Sequence, residues 1–145
     1  MRSVDTAVFR APPERVWTVL ADWPRYPEWM PDVAWVRPLG EERELGLRLL
    51  VRTRVFGVPL AKDVMRVTAW EPPTRLGIAH QGVVRGPAEW RLEPVEDGTR
   101  FVWQEDVTMP PPILGELALR VYWPWQRRMF RRSITNLRRL VEGPA

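Results

Sequence analysis

The chain contains no cysteine, a single histidine (His80), a single lysine (Lys62) and two serines, Ser3 and Ser133. Without cysteine there are no disulfides, no thiolate nucleophile and no cysteine-ligated metal. One histidine rules out the paired imidazoles of most catalytic metal sites, and no ligand spacing for a metal occurs. Neither a nucleophile elbow nor a glycine-rich phosphate loop occurs either. A Ser133–His80–acid triad exists only as an inventory of residues, because Ser133 reads as a small helix-packing residue. Lys62 opens a strand facing solvent, so a Schiff-base role is not expected. No metal and no cofactor are expected. The amino terminus, MRSVDTAVFRAPPERV, lacks a signal-type apolar run, and no stretch approaches membrane-spanning length, so a cytoplasmic protein is expected.

What remains is aromatic and proline-rich. The 145 residues include nine tryptophans and 16 prolines, with 45% hydrophobic and 28% charged residues overall. That is the balance of a soluble globular chain, and the length suits one domain over residues 1–145. Of the 22 basic residues, 21 are arginine. Residues 110–145 carry seven arginines against Glu116 and Glu142, so the positive excess of +4 sits at the carboxyl end. The plain reading is a solvated helix face. Contact with RNA or an anionic surface is the alternative, and DNA is not expected.

Periodicity orders the chain. SVDTAVF (3–9) alternates as a strand, and Pro12-Pro13-Glu14 then opens a helix. Val16, Leu20 and Trp23 recur on its apolar face, which places Trp23 in the core. In ADWPRYPEWMPDVAW (21–35), Pro24, Pro27 and Pro31 leave room for one helical turn near Pro27. A meander follows. Leu45, Leu47, Leu49, Val51, Thr53 and Val55 alternate with Arg48, Arg52 and Arg54. KDVMRVTAW is closed by Glu71-Pro72-Pro73, and RLGIAHQ puts Leu76, Ile78 and His80 on one side. AEWRLEP and GTRFVWQEDV flank a turn at Asp97-Gly98. One-sided alternation of this kind means a sheet that is wet on one face and covered on the other. Residues 113–142 supply the cover: Trp123, Gln126, Phe130, Ile134, Leu137 and Val141 form a stripe, with the arginines elsewhere on the wheel. Pro124 predicts a kink or break at 122–124.

This order resembles the START-related helix-grip superfamily, in particular its polyketide cyclase/dehydrase-like branch. The residues carrying the resemblance are APPERVW (11–17), Asp22, YPEWMP (26–31), EPPTRL (71–76), LEP (92–94) and GTR (98–100). It implies an α+β fold in which a curved antiparallel sheet of six or seven strands wraps a long C-terminal helix. Two short helices follow the first strand, and an apolar cavity lies between sheet and helix. Members bind lipids, sterols, quinones, polyketides or plant hormones, and some catalyse cyclisation or dehydration.

Within that frame His80 and Glu105 stand out as polar residues on apolar strand faces. They are read as ligand contacts, as a general acid/base pair, or as a hydrogen-bonded structural pair, unless strand twist turns Glu105 outward to solvent. Burial alone raises a carboxylate pKa and lowers that of histidine. The cavity is expected to be lined from the sheet by Ile78, His80, Trp90, Phe101, Trp103 and Glu105. The helix offers Met129 and Phe130, with Tyr122 near the mouth, and the proline-rich elbow offers Tyr26, Trp29 and Met30 as rim or end wall. The leading expectation is binding of an apolar, ring-containing molecule such as a lipid, polyketide or quinone. The alternatives are a cyclase/dehydratase using His80 and Glu105, and an interaction module using the arginine-rich helix. The resemblance extends to coenzyme Q-binding and ribosome-associated proteins with a similar tyrosine-proline stretch.

Overall fold

The structure, a computed structural model, describes residues 1–144. Strand β1 (Arg2–Phe9) leads into helix α1 (Pro13–Ala21), a 3-10 turn (Trp23–Arg25) and the single-turn helix α2 (Tyr26–Trp29). Strands β2 (Val33–Leu39), β3 (Arg48–Val55), β4 (Val58–Glu71), β5 (Arg75–Gln81), β6 (Arg85–Val95) and β7 (Gly98–Asp106) follow, and then helix α3 (Pro112–Glu142). All seven strands form one antiparallel sheet in the order β1-β7-β6-β5-β4-β3-β2. This is the helix-grip architecture, with the two short helices where the prolines placed them.

Local chemistry explains the elements. Pro13 occupies the first turn of α1, where its missing N–H costs nothing, and Glu14 faces the positive end of the helix dipole. The β3–β4 hairpin closes on Phe56 and Gly57, both at positive φ (50° and 83°), as a two-residue primed turn requires. The β6–β7 turn is Glu96-Asp97, with Asp97 at φ 64°, so Gly98 begins the strand and does not occupy the turn. Register shifts in β2 at Val33/Trp35, between Thr53 and Arg54, and between Val67 and Ala69 mark irregularities that bend the sheet into its grip. Leu45, placed on the apolar face of β3 by its alternation, lies outside the strand and is exposed.

Helix α3 runs unbroken through Pro124, so of the kink or break predicted at 122–124 the break does not occur. Pro124 falls on the exposed side, where water can satisfy the carbonyl freed four residues earlier. The helix is anchored at its far end. Leu137 and Val141 are fully buried, Arg10 donates its backbone N–H to Glu142 (3.0 Å), and Arg15 donates to the Gly143 carbonyl. Arg138 lies over the Phe9 ring at 5.3 Å and donates to the Val8 carbonyl. Arg127 pairs with Asp5 at 3.5 Å, while Arg131, Arg132 and Arg139 are exposed. Part of the arginine stripe therefore clamps the helix to β1. No helix among the described residues is long and apolar enough to cross a membrane.

Candidate functional site: a cavity between sheet and helix

The sheet and the first half of α3 do not close on one another. Between them lies a cavity of about 430 Å³, bounded by the inward faces of β3 to β7, α3 and the α1–α2 elbow. A space of this size takes a small organic molecule and is walled, as such sites are, mostly by apolar side chains. Its mouth lies among Phe56, Val83, Ala118 and Leu119, which line it and are open or partly open to solvent. The Phe56 ring meets Tyr122 edge-on at 4.9 Å and Trp125 at 5.5 Å, so the β3–β4 tip leans on the helix across the opening.

Of the residues expected on the wall, Tyr26, Met30, Ile78, His80, Trp90, Trp103, Glu105, Tyr122 and Phe130 are there. Trp29, Phe101 and Met129 are not. Trp29 is fully buried behind the wall, its ring packed on Trp90 at 5.4 Å and on Trp103 at 6.1 Å. Phe101 packs on Phe9 (5.7 Å) nearer the closed end of the sheet. Met129 precedes Phe130 by one position, about 100° around the helix, and is buried on the flank. Trp23, placed in the core by its spacing, instead faces the cavity and is only half-buried. A 3-10 turn after α1 breaks the helical register that assigned it inward. Trp70 also lines the cavity, held by an edge-on contact with Trp17 at 5.4 Å.

The polar groups gather at one end. His80 (β5) and Glu105 (β7) project to the same side of the sheet, with Nε2 and Oε1 3.3 Å apart. They reach across β6 because that strand opposes His80 with Gly86 and Glu105 with Ala88, so no bulky side chain stands between them. The contact is ionic when the imidazole is protonated and is not an aligned hydrogen bond: Nε2 is buried with no hydrogen-bond partner. The other Glu105 oxygen accepts the Trp103 indole N–H at 2.9 Å. Burial opposes protonation of His80, but Glu105 beside it, helped by the Asp63 charge, outweighs that effect and raises its pKa. The lowering that burial alone would cause is thus overturned by a partner two strands away.

Three further polar residues of the wall had no signal in the strand pattern. Asp32 lies in the loop before β2, and burial, with the Glu105 charge, pushes its carboxyl up to about 6. Its own backbone N–H, the Gln126 side chain and Arg54 pull the other way. Gln126 comes from α3, from a stripe otherwise read as packing. Asp63 is buried on β4, where its Oδ1 accepts the Val83 N–H at 3.0 Å and ties down the β5–β6 loop. Tyr122 beside Asp32 has its pKa raised by burial and by that charge. Among the described residues no cluster of three or more His, Asp or Glu could hold a metal ion.

Comparison with known proteins agrees with this architecture. The protein TTHA0849 of Thermus thermophilus superimposes with a TM-score of 0.80 at 19% identity, over 99% of this chain and 98% of its own. The Zhui aromatase/cyclase of Streptomyces sp. R1128 does so with a TM-score of 0.69 at 19% identity, over 99% and 92%. For the di-domain aromatase/cyclase BexL of the BE-7585A biosynthetic pathway the TM-score is 0.78 at 15% identity, and this chain spans 51% of its length. Likeness at these identities speaks for the fold. No curated protein sequence matches. The model of the family described as "Polyketide cyclase / dehydrase and lipid transport" matches residues 1–142, and the chain belongs to that family.

Proposed function

We propose that the protein binds an apolar, ring-containing small molecule in the cavity between sheet and α3, its polar end turned to His80, Glu105 and Asp32. The observation that carries this reading is the cavity itself: about 430 Å³ left open by a wall rich in indole rings, with its polar groups gathered at one end. A side-chain core would not leave such a volume, because protein interiors pack to the density of organic crystals. The family description, which includes lipid transport, supports the same reading. Protein purified from its own host and examined by native mass spectrometry should carry an organic adduct that organic solvent removes. Ile78→Trp, which adds bulk to the cavity wall, should reduce or abolish the adduct. An adduct unaffected by that substitution, or none from any host fraction, counts against the proposal.

The pairing of His80 with Glu105 favours a second reading, a cyclase or dehydratase. In that reading the neutral form of His80 removes, through Nε2, a proton from carbon next to a substrate carbonyl. The enolate so formed attacks a second carbonyl of the substrate, and Glu105 holds the imidazolium. The aromatase/cyclase neighbours support it by fold alone. His80→Ala and Glu105→Gln should then each lower turnover of a poly-β-ketone mimic by roughly 10²-fold or more while leaving binding measurable. Binding that persists with no turnover in the unaltered protein would leave the carrier reading alone.

A further inference from the structure

The chain has 22 arginines and lysines, yet none of them lines the cavity. Its wall carries instead the carboxylates of Asp32, Asp63 and Glu105. Glu89 also borders the space, but it sits on the opposite pleat and its carboxylate bridges Arg75 and Arg91 (2.8 and 2.5 Å). The positive charges nearest the polar end are already engaged. Arg54 donates to the Pro31 and Val33 carbonyls (3.2 and 3.1 Å), His80 faces Glu105, and the Met1 amino group donates to the Val107 carbonyl. Asp63 Oδ1 accepts the Val83 N–H, while Asp32, with Gln126 beside it, lies close enough to Glu105 to feel its charge, so these two carboxylates face the same end of the space.

On the cavity-binding reading above, we infer that the ligand is a ring-bearing amine, cationic at neutral pH, whose ammonium group sits by Asp32 and Glu105. Two independent features meet in that choice. The polar end gathers the carboxylates of Asp32, Asp63 and Glu105, so a ligand carboxylate or phosphate would meet like charge in a space sheltered from water. Trp103, which lines the cavity and donates its indole N–H to Glu105, brings an aromatic ring to that same end, and aromatic rings attract a desolvated cation. An apolar body with a neutral hydroxyl satisfies the first feature but draws nothing from the second.

Three tricyclic probes of the same shape separate the possibilities: 9-(aminomethyl)anthracene, 9-anthracenemethanol and anthracene-9-carboxylic acid. Binding to the full chain is followed at pH 7.5 by quenching of tryptophan fluorescence. The amine is expected to bind at least tenfold tighter than the acid, with the alcohol between them. Asp32→Asn with Glu105→Gln should shrink the amine-to-acid ratio below threefold while the alcohol still binds. Ile78→Trp should weaken all three probes. Equal or tighter binding of the acid overturns the inference and leaves the cavity reading standing. An amine preference that survives both sets of substitutions reflects adsorption elsewhere and also overturns it. If no probe binds, both fail.

Discussion

Glu105 ties together two groups that would each be costly alone, the indole N–H of Trp103 and the imidazole of His80, while its charge opposes ionisation of the Asp32 carboxyl. Because the chain has one histidine, its imidazole proton signals report this site without assignment. In Glu105→Gln the partner that raises the His80 pKa is gone and burial dominates, so the NMR titration midpoint should fall below that of the unaltered protein. An unchanged midpoint would show that the pair does not form in solution. Asp32 gives a second test. Its pKa is pushed up to about 6 from an ordinary 3.8, so the folded state holds the proton more tightly than the unfolded state. Stability contributed by the neutral carboxyl is therefore present below about pH 4 and lost as pH rises towards 6. Asp32→Asn removes that loss. Relative to the unaltered protein, it should gain roughly 1–3 kcal/mol between pH 4 and pH 7 by urea unfolding. His80, with a raised pKa, acts in the next window: its contribution is present below its unfolded pKa and fades as pH rises through the folded one.

At the scale of elements, strand β6 decides whether the site exists. Ala88 stands opposite both Ile78 and Glu105, and its small side chain leaves the passage by which Glu105 reaches His80. Ala88→Leu should destabilise the fold by about 1–3 kcal/mol through overpacking, raise the apparent dissociation constant for any cavity ligand at least tenfold, and lower the His80 midpoint. A variant that binds normally would place the ligand elsewhere. Helix α3 offers the opposite case, a residue that breaks a local rule with little consequence. Its far half is pinned by buried Leu137 and Val141, and Pro124 lies on the exposed side, so the tertiary contacts override the break that proline would impose on an isolated helix. Pro124→Ala should stabilise the protein, by up to about 3 kcal/mol, with no change in ligand affinity.

For the whole molecule, the division between core and wall runs through residues of the same kind. Trp29 and Trp23 stand six positions apart in one proline-rich stretch, yet the first is sealed among Trp90 and Trp103 and the second faces open space. Trp29→Ala should cost about 3–5 kcal/mol in chemical denaturation. Trp23→Ala, which leaves no closed void, should cost under about 2 kcal/mol and alter ligand affinity instead. Equal losses from both would mean that the cavity collapses in solution.

Whether Glu105 turns to the cavity or to solvent was not legible in the chain itself, whereas the order of strands and helices and the one-sided faces of the sheet were. They follow from period-2 and period-3.6 spacing and from where proline and glycine interrupt it, all of which are local physics. Asp32, Asp63 and Gln126 were not legible as a site. One lies in a loop, one in a strand otherwise read by its apolar residues, and one in a stripe read as packing. Their meeting depends on contacts between segments far apart in sequence. The same is true of which aromatic rings line the space and which fill the core, and of the sign of the His80 shift. Spacing determines the face on which a side chain emerges. How far the opposing layer stands from it, and what charge waits there, is set only when the sheet curves around α3.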